Sequence, residues 1–96
     1  MGAARNFDIL VRTDQKASNV WLDDGVSDYR LHRYAQARQR FARALDLAPR
    51  SGRAHFWLGL ACVKLGQTSK ARSELALAAH SRDAGVRKAA RRILKT

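Results

Sequence analysis

The side chains that most often carry out chemistry in proteins are few and widely spaced in this sequence of 96 residues. His32, His55 and His80 lie far apart along the chain and have no cysteine or carboxylate at the spacing of a metal site. Cys62 is the single cysteine, and the pattern pairs no base with it, so neither a disulfide nor an activated thiol is indicated. We therefore predict no catalytic activity, no metal and no cofactor.

Charge is distributed unevenly along the chain. Residues 1–30 hold four Lys or Arg against five Asp, whereas residues 31–96 hold fifteen Lys or Arg against three acidic residues. Asp23, Asp24 and Asp28 form one acidic turn, which we interpret as a solvated or partner-facing surface. A strongly basic domain attracts anionic partners at long range, but its net charge does not identify the chemical class of the partner.

The elements that carry these residues are predicted to be helical. Ala, Leu and Arg, which favour helix, are abundant, and the length suits one small domain. The sequence has no apolar run near the roughly 18 residues of a membrane span. We expect no secretory leader, and a lone thiol fits a reducing compartment, so we predict a cytoplasmic protein.

The sequence contains an internal repeat, which appears when Gly25 is aligned with Gly59. This repeat offset also pairs Ala37 with Ala71, Arg38 with Arg72, Phe41 with Leu75 and Ala44 with Ala78. Apolar residues follow helical spacing in both copies. The pattern predicts helices at about 19–31, 33–47, 53–65, 68–80 and 84–95, after an N-terminal segment of residues 1–17. We expect Ser18 to cap the first helix and Gly66 to occupy a helix–helix turn.

These residues resemble the tetratricopeptide repeat, whose 34-residue signature is W-x2-L-G-x2-Y, then A-x3-F, then A and P. The first copy matches at Trp21, Gly25, Tyr34, Ala37, Phe41, Ala44 and Pro49, and the second at Leu58, Gly59, Gly66, Ala71, Leu75 and Ala78. The resemblance implies an all-α, right-handed α-solenoid domain over residues 18–96. It would comprise repeats at about 18–51 and 52–85 and a capping helix at about 84–95, acting as a non-catalytic protein-interaction module.

The first copy departs from the signature in its first helix. Asp24 and Asp28 stand where the signature has Leu and Tyr. We therefore expect this helix to be frayed, or to pack against something other than its partner helix. In the second copy His55 and Cys62 replace Trp and Tyr, and Asp83 replaces the closing Pro.

The third helix is apolar on two sides. Leu58, Gly59 and Cys62 are predicted to face the partner helix, and a second apolar side lies opposite. In the family, the first helices of the repeats line a concave groove that binds peptides. The resemblance implies that the groove is lined by Leu22, Val26, Arg53, Phe56, Trp57, Leu60, Lys64, Arg87 and Arg91.

Four occupants of the second apolar side remain open. Phe56 and Trp57 could pack against neighbouring helices, residues 7–11 could fold back, a second copy could bind, or an external peptide could. The peptide would offer apolar anchors and acidic side chains to the basic rim. Two and a half repeats fall short of the three usually needed for stability, which favours self-association or a larger assembly. Arg87 and Arg91 match the basic positions of the chaperone-binding clamp, but Leu22, Val26 and Trp57 do not complete it.

The last helix is basic along one side. Its Arg and Lys residues would keep the end of a repeat array soluble, as capping helices do. Together with the outward arginines of the second helix (Arg33, Arg40 and Arg43), they could instead bind nucleic acid or an anionic membrane surface. The sequence shows no recognised nucleic-acid motif, so we keep this role as the alternative.

Overall fold

The computed structural model describes residues 13–95, which contain five α-helices and no strand. The helices are α1 (Gln15–Arg30), α2 (Tyr34–Leu47), α3 (Gly52–Lys64), α4 (Thr68–Ala78) and α5 (Ala84–Leu94). The predicted all-α fold, a solenoid of helix hairpins, is confirmed. The segment 7–11, which we considered as an occupant of the groove, lies outside the described residues.

The first helix begins earlier than its sequence pattern suggests, and the prediction that Ser18 caps it is wrong. Asp14 is the N-cap, and its Oδ1 accepts a hydrogen bond from the backbone N–H of Ala17 at 3.1 Å. Ser18 is instead fully buried, and its Oγ donates to the carbonyl of Ala44 in α2 at 2.9 Å. The hydroxyl thus ties α1 to α2 because a buried polar group needs a partner.

Each repeat is an antiparallel hairpin closed by one glycine. A Cβ at Gly25 would lie 2.5 Å from Cε1 of Phe41, and one at Gly59 would lie 2.7 Å from Cγ of Leu75. Neither distance leaves room for a methyl group, so each glycine lets a side chain of the second helix pack directly on the first helix. The two contacts are related by the repeat offset, which shows that the repeat is structural.

The turns of the two hairpins use the same left-handed position. Gly66 has φ of 75°, as predicted, and His32, its counterpart in the first repeat, has φ of 62°. This conformation suits glycine and costs other residues energy. After α2, which ends at Leu47, the chain turns at Pro49 into α3.

The last helix closes the stack. Asp83, which stands in place of the signature proline, caps α5 through bonds from the N–H groups of Gly85 and Val86. Ala90 is fully buried and packs with Ala78 and Ala79 of the preceding turn region. None of the helices between residues 13 and 95 combines the length and apolarity needed to cross a bilayer.

Candidate functional site

An ion pair joins the helices of the first repeat. Nε of Arg40 lies 2.6 Å from Oδ2 of Asp28, a residue only 7% exposed, and Asp24 lies farther away, at 3.7 Å from Nη1. The expectation that α1 is frayed or packed elsewhere is therefore wrong, as is a solvated role for Asp28. The guanidinium of Arg40 on the partner helix thus lies against this buried carboxylate and forms an ion pair with it.

In the second repeat the polar pair involves different positions. Nδ1 of His55 lies 2.7 Å from Oε2 of Glu74, and its Nε2 lies 3.0 Å from the carbonyl of Pro49. Both ring nitrogens are thus used to join α3 to α4 and to the preceding turn. Residues 13–95 contain no cluster of three His, Cys, Asp or Glu side chains that could hold a metal ion.

Cys62 is fully buried in the core between the two hairpins. Burial raises the pKa of its thiol, against the smaller opposing effect of Lys70 and Arg38. The protonated thiol is therefore favoured, and the residue packs as a small apolar side chain.

Trp57 fills the cleft between the first repeat and α3. Its ring centroid lies 5.5 Å from that of Tyr29 in α1 and 6.0 Å from that of Phe41 in α2. Tyr29 in turn meets Tyr34 edge to face at 5.2 Å. Trp57 is half-buried, and its ring packs against the core.

Two further residues expected in the groove pack against the interior, to different depths. Leu22 is 1% exposed and lies in the main core, so it offers no surface to a ligand. Phe56 is half-buried and packs towards α5, on the cluster of Ala78, Ala79 and Ala90. The helical wheel of α3 places Phe56 and Trp57 on one side of the helix, but α3 has neighbouring helices on both flanks.

The remaining residues assigned to the groove keep accessible surface to differing degrees. Val26 and Leu60 are half-buried, and Arg53, Lys64 and Arg91 are exposed. The ammonium of Lys64 lies 5.9 Å from the ring centroid of Tyr34. Arg87 is half-buried, and its Nη1 donates to the carbonyl of Ser81 at 3.0 Å, which fixes it to the turn before α5.

A second cleft, which sequence reasoning misses, lies between the second repeat and α5. It holds an open pocket of about 280 Å³, lined by Val63, Thr68, Ala71, Arg72, Leu75, Ile93 and Leu94. Val63, Ala71 and Leu75 of its lining are the repeat counterparts of Tyr29, Ala37 and Phe41, which belong to the core on which Trp57 packs or are packed against it. The repeat offset is the signal that locates this cleft, whereas the sequence interpretation of α5 treats the helix only as a cap and a basic face.

The comparisons agree with the geometry. A family model described as "Tetratricopeptide repeat" matches residues 22–86, which is more than half of the chain. No curated protein and no solved structure gives a match. The matched region begins in α1 and ends in α5, so it covers both hairpins and reaches the cap. The chain belongs to the tetratricopeptide repeat family.

Proposed function

We propose that this chain is a scaffold or adaptor that binds a protein segment along α1, α3 and α5, the first helices of successive repeats. The segment carries apolar anchors and acidic side chains. Membership of the family supports the proposal, because tetratricopeptide repeats generally mediate protein–protein interaction and are typically non-catalytic.

The observation that carries this proposal is an apolar strip in one register. Val26 of α1, Leu60 of α3 and Leu94 of α5 occupy equivalent positions of successive repeats, and α3 contacts both α1 and α5. Val26 and Leu60 are half-buried, and Leu94 is exposed. The strip therefore retains apolar surface after the hairpins have packed, unlike Leu22.

The charges beside the strip support an acidic ligand. Arg53, Lys64 and Arg91 are exposed. The described residues from 48 onward hold eleven Lys or Arg against Glu74 and Asp83, a net charge of +9. Complementary charge chiefly accelerates association and selects the sign of the partner, whereas the apolar anchors supply most of the affinity.

The test is affinity capture with matched variants. Leu60→Asp should abolish capture of partners because it places a charge in the strip. Arg53→Glu should weaken capture and should also make it less sensitive to salt concentration. Leu77→Asp alters another exposed leucine, on α4, and serves as the control. Capture that is unchanged by Leu60→Asp would refute the proposed surface.

Self-association is the other form of this function. Light scattering of the purified chain distinguishes the two forms. A dimer that Leu60→Asp dissociates would identify a second copy as the ligand of the strip. A monomer that still captures a partner through Leu60 would identify a separate protein.

A second candidate is nucleic-acid binding, favoured by one observation. Four basic side chains of the C-terminal helix region, Lys88, Arg91, Arg92 and Lys95, are all exposed, and α5 contains no acidic residue. Binding of labelled duplex DNA and single-stranded RNA would be measured against salt concentration. A steep fall of log K with log salt supports this role, and no retention at low salt refutes it.

A further inference from the structure

The two clefts that flank α3 are built from equivalent residues, but they are filled differently. In the first cleft, Trp57 packs on Tyr29 and Phe41. In the second, the counterparts of these three residues are Arg91, Val63 and Leu75. Arg91 is exposed, and Val63 is 50% exposed, so no aromatic ring of α5 covers the cleft.

The pocket that results has the size and lining for one aromatic side chain. Its volume is about 280 Å³. A dry apolar cavity of about 150 Å³ can hold a benzene ring, and small-molecule sites usually begin near about 300 Å³. Five of its seven lining residues are aliphatic, namely Val63, Ala71, Leu75, Ile93 and Leu94.

The pocket carries a positive charge, and none of the described residues that line it is acidic. Arg72 lines the pocket and is exposed. Glu74, the only acidic residue of α4, is paired with His55, and Asp83 caps the N-terminus of α5. A ligand with carboxylates beside its ring therefore complements this surface.

From these observations we infer that the cleft between α4 and α5 binds a partner protein through one aromatic side chain flanked by acidic residues. The inference rests on the proposed protein-binding function but uses the cleft beside the strip. The two sites share Leu94, and the pocket does not include Val26 or Leu60. A second copy is a poorer candidate, because none of the Phe, Tyr and Trp side chains within residues 13–95 is exposed.

The direct test uses a defined probe, the acetylated and amidated peptide Glu-Asp-Trp-Asp-Glu. Methyl NMR of the full chain should show binding at Val63, Leu75 and Ile93. Replacing the probe's Trp by Ala, or its acids by Lys, should weaken binding at least tenfold. The absence of shifts at these methyl groups, or equal binding of the Ala peptide, would overturn the inference.

Filling the cleft provides the matched protein variants. Arg91→Trp places an indole in the register of Trp57, so it should weaken probe binding at least tenfold and raise the Tm. Arg92→Trp makes the same chemical change at the adjacent exposed residue and should alter binding less than twofold. Val63→Tyr, which restores the counterpart of Tyr29, is an independent filling variant. Unchanged binding in both filling variants would overturn the inference.

The charge contribution is tested separately. Arg72→Glu should weaken probe binding at least fivefold. Lys70→Glu, on the same helix but outside the pocket lining, should change probe binding less than twofold. Equal effects of the two variants would show that only net charge matters, and they would overturn the assignment of the pocket as the binding site.

Two other occupants give distinct results. If Phe7→Ala raises probe affinity tenfold, the chain's own N-terminal segment occupies the pocket. If the chain is a dimer that Arg91→Trp dissociates, a second copy does. Either result overturns the inference of a separate partner. If Leu60→Asp abolishes partner capture but leaves probe binding unchanged, the pocket binds its ligand independently of the strip.

Discussion

The two clefts on either side of α3 show how one repeat register can produce a filled interface and an open one. The first cleft contains Trp57 against Tyr29 and Phe41, and the second contains a pocket between Val63 and Leu75. The backbone plan is shared, because Gly25 and Gly59 bring each hairpin together in the same way. The difference lies in side-chain volume. Hairpin closure and repeat stacking are therefore separable properties of this chain.

The same separation appears in the polar pairs. Arg40 on α2 and Glu74 on α4 are repeat counterparts, and both pair with the first helix of their own repeat. Arg40 meets Asp28, whereas Glu74 meets His55, whose counterpart in the first repeat is Trp21. Each repeat thus has a charged or polar side-chain pair between its helices, but at a different position along the hairpin.

The largest expected loss of stability comes from removing the ring that fills the first cleft. Trp57→Ala should destabilise the domain by about 3 kcal/mol, because it removes a ring packed on two other aromatic residues. Arg91→Ala, at the counterpart in the open cleft, should cost less than about 0.5 kcal/mol because an exposed side chain is lost. Urea unfolding followed by circular dichroism measures both. Equal losses would contradict the distinction between the clefts.

The next effect compares the two glycines. Gly25→Ala should cost about 2–3 kcal/mol, because the methyl group meets the fully buried ring of Phe41. Gly59→Ala should cost about 1 kcal/mol or less, because Leu75 can shift towards the pocket and alanine favours helix. The Tm values of the two variants, each compared with that of the unmodified chain, measure these two costs. A larger loss for Gly59→Ala would show that Leu75 is held as rigidly as Phe41.

A smaller effect concerns the pair in the first repeat. Arg40→Ala should cost about 1–2 kcal/mol, because the carboxylate of Asp28 is left buried without its cation. Arg43→Ala, one turn along α2, removes an exposed arginine whose guanidinium lies 5.8 Å from the ring centroid of Trp21. We expect it to cost about 0.5 kcal/mol. Thermal unfolding in low salt compares them, and similar losses would remove any special role for Asp28.

The smallest effect compares the two turns. His32→Gly should stabilise the domain by about 0.5–1 kcal/mol, because glycine adopts the left-handed conformation without strain. The gain is reduced by loss of the stacking of His32 on Tyr34, whose ring centroids lie 5.7 Å apart. Gly66→Ala, at the counterpart, should destabilise instead. A lower Tm for His32→Gly would mean that the ring contact outweighs the backbone strain.

Much of the fold could be predicted because helical spacing and the repeat offset are local properties of the chain. The roles of Gly59 and Gly66, and the interior face of Leu58 and Cys62, follow from that spacing. The role of Ser18 does not, because a serine before an apolar stripe looks like a cap until the partner helix is in place. The interpretation of Asp28 is wrong for a related reason, since its partner lies on another helix.

The candidate site was harder to predict than the helices. A helical wheel gives the direction of each side chain but not the neighbour that it meets. It places Leu22 and Trp57 towards a groove, whereas stacking of the hairpins buries Leu22 and packs Trp57 on the first repeat. The strip of Val26 and Leu60 lies on the same helices, one turn away, and retains accessible surface.

The amino-acid sequence by itself determined the helical class, the repeat period and the glycines at which the hairpins close, because these depend on residue type and spacing. Only the tertiary structure decided how the second apolar side of α3 is divided. Phe56 packs towards α5, and Trp57 packs towards the first repeat. The open cleft beyond them depends on which side chains α5 brings to α4. That outcome depends on the volume and packing of residues far apart in sequence.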